Sequence, residues 1–437
     1  MLARIISALR SKFGRDLVWN YVSLGVLAVS GIIINLLIVR GYGARGLGVF
    51  NQVFAVYVMA SQLATGGIHY SVLKYVAEYA ADKKKRDLAA WSGVYLVLGL
   101  GLALSLVVFF LSPLAGLAVN SPDVAKGLAL AAPGLFFFSL NKVLLGILNG
   151  MRVMRAFALG QGLRYFLMAI YVAGAASLGA EVRFLGGTFT AAESVLCLVL
   201  LALVVPRARP TLKGFDRAWL KTHALFGFKG FLSGMILEMN ARVDVLMLGL
   251  FLTDRAVGIY SFASMLGEGF YNLLVVVRNN VNPILPPLLK ERKIEEIRRW
   301  IARLQRLVYA GAFGAALVAV LLYKPAVYLL LGGGEFLESW SVLAILLAGI
   351  VFCSGYVPFD FMLLQAGQPG WHTFLTSLTL ASNILLNAAL IPIFGVHGAA
   401  MGTALSLCLS VLYLNLMVRR RLGFSLGFFF FGPKSRS

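Results

Sequence analysis

Charge is what this chain has least of. Only 13% of its 437 residues are Asp, Glu, Lys or Arg, and 60% are hydrophobic, where a soluble domain carries about 25% charged and 45–50% apolar residues. That balance excludes a water-soluble protein of one domain or several and makes the lipid bilayer the solvent. Cysteine is nearly missing as well. Cys197, Cys353 and Cys408 lie far apart, each inside an apolar run, with no CxxC and no metal-ligand spacing, so they read as small hydrophobes in helices. His69, His223, His372 and His397 are too scattered for a metal cluster. No Walker A loop, no GxSxG with partners and no HExxH occurs, so the chain is read as a non-enzyme that calls for no metal and no cofactor. Gly332 to Gly334 sits at a helix end and reads as a loop or helix break rather than a phosphate cradle.

What is present is a series of long apolar runs. A hydrocarbon core of about 30 Å takes roughly 20 apolar residues per helix. Twelve segments satisfy this: 17–39, 49–70, 89–111, 128–148, 157–178, 184–205, 225–250, 257–278, 307–331, 341–364, 372–391 and 397–418. The first is too long for a signal-peptide core and reads as a retained span. The expected fold is an all-α polytopic membrane protein with two pseudo-symmetric six-helix bundles. Residues 1–205 form the first, 206–222 a basic linker, and 223–437 the second, with an amphipathic interfacial helix at about 288–305. In that helix Ile294, Ile297, Trp300, Ile301 and Leu304 recur at helical spacing among charges.

The charges that remain are unevenly placed. The formal net charge is +21, from 39 Lys and Arg against 18 Asp and Glu. With the N-terminus in the cytoplasm, 29 of the 39 fall on inside segments. Only Arg40, Arg45, Lys126, Arg183, Arg255 and Lys324 fall outside. The positive-inside rule thus places both termini in the cytoplasm of a multi-pass protein of the cell membrane, and it explains the basic excess without nucleic acid.

An internal repeat divides the chain. Residues 34–56, INLLIVRGYGARGLGVFNQVFAV, and residues 244–266, DVLMLGLFLTDRAVGIYSFASML, each read as a span, a turn bearing Arg45 or Arg255, and a Gly-x-aromatic start of the next helix. LLGILNGMRV around Gly150 and FMLLQAGQPG around Gly367 form a fainter pair. Two six-helix halves entering from one side make a parallel repeat, a common transporter build.

The charges inside the spans carry the functional content. A central Lys or Arg costs about 2.5–3.5 kcal/mol on insertion scales, so Lys142, Arg164, Lys229 and Arg242 must face water, a counter-charge or a ligand. A lipid-linked diphosphate would need such cations, since guanidinium binds phosphate through a planar fork. Arg242, Arg164 and Lys142 are the candidates for that role, with Lys229 nearer a helix end. Glu238, Asp244, Glu268 and Glu193 are candidates for ion coupling or charge pairing. Glu238 and Arg242 are four apart and able to pair, while Asp244 points about 200° away from Arg242. Asp360 and His69 lie near helix ends, where an interfacial place is the simpler reading. Asn35, Asn240, Asn383 and Asn387 suit interhelical hydrogen bonds.

The turn RGYGARGLGVFNQVFAV resembles the helix 1–2 signature of polysaccharide-biosynthesis membrane proteins. RVDVLMLGLFLTDRAVGIYSFA is similar to their helix 7–8 segment, and LLQAGQPGWHTFLTSLTLASNILLNAALIPIFGVHGAAMGTALS to their helix 10–12 block. This is the multidrug/oligosaccharidyl-lipid/polysaccharide exporter superfamily, in its O-antigen or exopolysaccharide flippase (Wzx-type) branch. The resemblance implies a transporter that moves a polyprenyl-diphosphate-linked oligosaccharide from the cytoplasmic to the outer leaflet by alternating access. Its implied partners are that substrate, the bilayer, and glycosyltransferases or a polymerase of the same pathway. Two other readings are an ion-coupled multidrug or organic cation antiporter, which would want an acidic cavity without cations, and a membrane glycosyltransferase or polymerase, which would want a large extramembrane loop.

Overall fold

The computed structural model describes residues 12–211, 215–291 and 293–427, with side chains from Val29 onward except at 229, 230, 232 and 233. Lys229 and the basic N-terminal residues Arg4, Arg10, Lys12 and Arg15 therefore lie outside the described side chains. The chain is all-helical among the described residues. Its elements are α1 (Lys12–Thr65), α2 (Ile68–Glu78), α3 (Lys83–Ala118), α4 (Pro122–Gly150), α5 (Met154–Ser177), α6 (Gly187–Val204) and α7 (Arg217–Phe251). They continue with α8 (Asp254–Val281), α9 (Leu285–Lys290), α10 (Ile294–Leu331), α11 (Ser339–Ser354), α12 (Met362–Gln365), α13 (Pro369–Phe394) and α14 (Val396–Leu422).

Ten helices among the described residues are long and apolar enough to cross a membrane, which makes this a polytopic membrane protein. Two features reconcile that number with the twelve segments expected. Helix α1 contains Gly43 at φ 64°, a conformation that breaks a helix and that glycine adopts at little cost, so α1 holds two spans. Helix α7 is 35 residues long but carries Lys221, Lys229, Glu238, Arg242 and Asp244 and is not among the ten. Helix starts follow local chemistry. Asp82 accepts from the Lys85 N–H, Ser121 from Val124 and Thr253 from Ala256, each satisfying an orphan donor of the first turn. Leu102, Leu106, Phe110, Leu117, Leu321 and Leu329, on α3 and α10, are exposed, as lipid-facing positions should be.

The chain forms two compact units, Met1–Glu238 and Met239–Ser437. The division falls inside α7, later than the basic stretch 206–222 expected to separate the halves, because the first half of α7 packs with the first unit. Fully buried His223 donates from Nε2 to the Ala89 carbonyl at 3.0 Å, with the Ser92 hydroxyl at the same distance, and its Nδ1 hydrogen-bonds the Ser71 hydroxyl at 2.8 Å. One turn further on, a Cβ on Gly67 would lie 2.5 Å from the Gly227 carbonyl.

Helix α4 is the centre of the first unit. Leu144, Leu148, Val72, Val97, Leu196 and Leu200 form one buried cluster around it. Gly146 lets α2 approach by backbone: a Cβ there would sit 2.9 Å from the His69 carbonyl.

In the second unit α14 packs against α13 and α11, and α11 against α8 and α10. The expected interfacial helix at 288–305 is not a separate element. Short α9 is followed at Ile294 by α10, which runs unbroken through the next span. Ile297 and Ile301 are buried, as the spacing predicts, but Trp300 is exposed. After α14 the chain turns at Gly423, φ 78°, and docks back: Tyr356 and Asn415 donate to the Gly427 carbonyl at 2.8 and 3.3 Å.

The repeat is visible as chemistry. Arg45 pairs with Asp123 at 2.6 Å in the first unit, and Arg255 with Glu335 and Glu338 at 2.9 and 2.7 Å in the second. In each unit the arginine of the first turn ties the start of the fourth span.

Candidate functional site

In the first unit the candidates converge on α4, α5 and α6. Asn141 and Lys142 follow Phe138 by three and four positions, placing all three on adjoining faces of α4. Arg164 comes from α5 and Glu193 from α6. Arg164 Nε meets Glu193 Oε1 at 2.6 Å, and its Nη2 donates to Oε2 at 3.2 Å. Asn141 Nδ2 donates to the same Oε2 and to the Glu193 carbonyl, both at 2.8 Å. Arg164 is 6% exposed and Glu193 2%. Both oxygens of Glu193 are thus committed, and Arg164 has its counter-charge. The Phe138 ring carries two cations, with Arg164 Cζ at 4.8 Å and Lys142 Nζ at 5.4 Å from its centroid. Lys142 makes no direct ion pair among the described residues. The charges acting on it are Arg164, Glu193 and Glu238, which brings Glu238 into the same unit and the same field.

In the second unit the candidates separate into two groups. Arg242 meets Glu268 of α8 at 3.3 Å, a partner on another helix rather than Glu238 one turn back. Both are partly exposed, with Glu268 the more so at 44% of its side chain. Asp244 faces elsewhere, as its angular position on α7 requires. It accepts from the Thr403 hydroxyl at 2.6 Å, Asn387 Nδ2 at 2.7 Å and the Tyr260 hydroxyl at 2.9 Å. Asn387 Nδ2 also donates to Asn383 Oδ1 at 2.9 Å. This is a buried carboxylate held by neutral donors from α8, α13 and α14, an acid whose charge can be matched by a proton or a small cation.

Sequence reasoning missed Asn141, Tyr260 and Thr403 as members of these groups. Tyr260 stands in the repeat motif and Asn141 beside Lys142, so both had a signal; Thr403 is one hydroxyl among many. Asn383 and Asn387 do bond between side chains, and Asn387 reaches Asp244 on another helix. Asn35 bonds Gly31 O on its own helix at 2.8 Å, so it does not join helices there. Among the described residues no group of three or more His, Cys, Asp or Glu is placed to hold a metal ion.

Residues 13–286 match the profile of the polysaccharide biosynthesis protein family. The chain belongs to this family. It is 24% identical over 423 residues to the lipid III flippase of Escherichia coli (strain K12), covering 92% of this chain and 98% of that protein. It is 30% identical over 188 residues to the probable flippase AglR of Haloferax volcanii, covering 41% of this chain and 38% of AglR, so the match spans about two fifths of that relative's length. Two solved structures share the fold. An inward-facing multidrug resistance MATE family transporter of the MOP superfamily superposes with a TM-score of 0.74 at 17% identity, covering 91% of this chain and 94% of that one. The lipid II flippase MurJ, in an inward closed conformation, gives 0.73 at 16% identity, covering 92% and 87%.

Proposed function

We propose that this protein flips a polyprenyl-diphosphate-linked oligosaccharide from the cytoplasmic to the outer leaflet, with both termini in the cytoplasm. The observation that carries the reading is Lys142. Its ammonium lies on the Phe138 face without a direct ion pair among the described residues, although the unit holds a carboxylate, Glu193, that Arg164 and Asn141 saturate. A cation kept from neutralisation in a span is costly unless an anion visits it, and a diphosphate leaving water is such an anion. An organic-cation antiporter would not leave that charge in place. The full-length likeness to a lipid III flippase supports the same substrate class.

Of the three cations expected to contact the diphosphate, Lys142 is best placed. Arg242 stays a candidate, partly exposed beside Glu268, and Arg164 serves to hold Glu193. Asp244 is the carboxylate we assign to a coupling ion, since its donors are neutral and it has no cation partner among the described residues. In this reading Glu238 and Glu268 balance Lys142 and Arg242 between substrates.

The test is reconstitution into liposomes with a fluorescent short-chain prenyl diphosphate disaccharide, its exposure to the outer medium followed by enzymatic or dithionite quenching. Protein-dependent exposure is expected. Its absence, together with uptake of an organic cation in the same vesicles, would replace this reading with the antiporter.

A further inference from the structure

His69 stands on the first turn of α2, and among the described residues neither of its ring nitrogens has a hydrogen-bond partner. Nδ1 is sealed from solvent without a partner among the described residues, and the ring packs against Tyr70, with centroids 4.0 Å apart. A buried polar atom without a partner costs about 1–3 kcal/mol. The cost is smaller for a bare lone pair than for a stranded N–H, which favours the tautomer with its proton on Nε2. That leaves Nε2–H as a donor with no acceptor among the described residues.

The ring's neighbour is Lys142. The His69 carbonyl lies against Gly146 on α4, and Lys142 is one turn before Gly146 on the same face. The charge acting on the His69 ring is the Lys142 ammonium. Of the two acids that bear on Lys142, Glu193 and Glu238, Glu193 has both oxygens bonded to Arg164 and Asn141. Two donors, one charged and one neutral, thus stand on two helices in close contact, and Glu193 supplies neither with an acceptor.

We propose that His69 and Lys142 together bind the diphosphate of the lipid-linked substrate, Nε2–H of His69 donating to one phosphoryl oxygen while the Lys142 ammonium supplies the charge. This rests on the flippase reading and adds to it a second ligand. A neutral donor beside a single lysine has a use in a carrier: it adds direction and a hydrogen bond without the desolvation cost of a second cation. The anion is recognised by its phosphoryl oxygens, which a phospholipid headgroup or free pyrophosphate would also present.

The test is binding of farnesyl diphosphate to the purified full-length protein in detergent, with farnesol, inorganic pyrophosphate and phosphatidylglycerol as separate arms. Farnesyl diphosphate is expected to bind tightly and inorganic pyrophosphate to compete with it more weakly; farnesol binding as well as farnesyl diphosphate would overturn the assignment, and equal binding of phosphatidylglycerol would reassign the pair to a structural lipid. His69→Met should weaken farnesyl diphosphate about tenfold, the scale of one hydrogen bond to a charged group. His69→Gln, whose amide restores an N–H at a similar reach, should stay within about threefold. Matching thermal unfolding of the two variants separates binding from folding. If His69→Met binds as the unaltered protein does, the assignment is wrong while flipping through Lys142 stands. If the protein flips nothing yet its farnesyl diphosphate affinity falls in His69→Met, the pair survives and the transport reading fails.

Discussion

Arg164 and Glu193 form a buried two-point ion pair, with Nε to Oε1 at 2.6 Å and Nη2 to Oε2 at 3.2 Å, and Asn141 completes the coordination of the carboxylate. Removing one partner strands the other in a low-dielectric site, which costs about 3–5 kcal/mol. Arg164→Ala and Glu193→Ala should each lower the yield of folded protein and its unfolding temperature. The double change Arg164→Met with Glu193→Leu should recover much of the loss, because it strands no charge. Thermal unfolding in detergent, followed by size-exclusion fluorescence, measures both.

Lys142 should behave in the opposite way. It has no direct ion pair to lose among the described residues, so Lys142→Met should leave the unfolding temperature within a few degrees. Transport should fall by at least about tenfold, since a lost charge-assisted contact is worth about 1.5–3 kcal/mol. Lys142→Arg should retain most activity. The decisive comparison is flipping rate against unfolding temperature for the same preparations. A rate that falls only in step with stability would reduce Lys142 to a structural cation.

The contrast between Arg164 and Lys142 also shows what could be read from the sequence. The spans, the internal repeat and the intramembrane charges follow from composition and the length of a bilayer crossing, and the structure gives Lys142, Arg164, Glu193, Glu238, Arg242, Asp244 and Glu268 each a place on a helix. Partner choice does not follow. Arg242 stands one turn from Glu238, yet it meets Glu268 of the next helix, because the angle at which two helices face each other is set by packing along their whole length. The acids that hold Arg45 and Arg255 lie 78 and 80 or more positions away, beyond any local rule. The end of the first unit was equally hidden. Lys and Arg density marks 206–222 as a boundary, whereas His223 and the glycines at 67 and 227 tie the start of α7 into that unit.

Those glycines carry a third prediction. Gly67 has φ 69°, and a Cβ on it would stand 2.5 Å from the Gly227 carbonyl. Gly67→Ala therefore combines left-handed strain, about 1–2 kcal/mol, with a backbone collision that no rotamer change relieves. The effect should exceed that of Gly99→Ala on α3, where a Cβ meets nothing within 4 Å and helix propensity should improve slightly. Thermal unfolding of the two variants in parallel checks this; equal effects would mean that the contact between α2 and α7 yields easily.

Asp244 is the test of coupling. Its carboxylate gathers hydroxyls from Tyr260 and Thr403 and an amide from Asn387, all neutral, so its charge has no matching cation in this network. Asp244→Asn keeps the volume but replaces one acceptor oxygen with a donor, leaving at least one of the three without a partner. A loss of about 1–3 kcal/mol in stability is expected. If the carboxylate binds the coupling ion, the variant should also lose the acceleration of flipping that a sodium or proton gradient gives the unaltered protein, while its rate without a gradient remains measurable. Proteoliposomes loaded at one pH and one sodium concentration, then diluted to change each alone, read the two ions separately. Acceleration that persists in Asp244→Asn would move coupling to Glu238 or Glu268, whose own substitutions by Gln then become the next measurement.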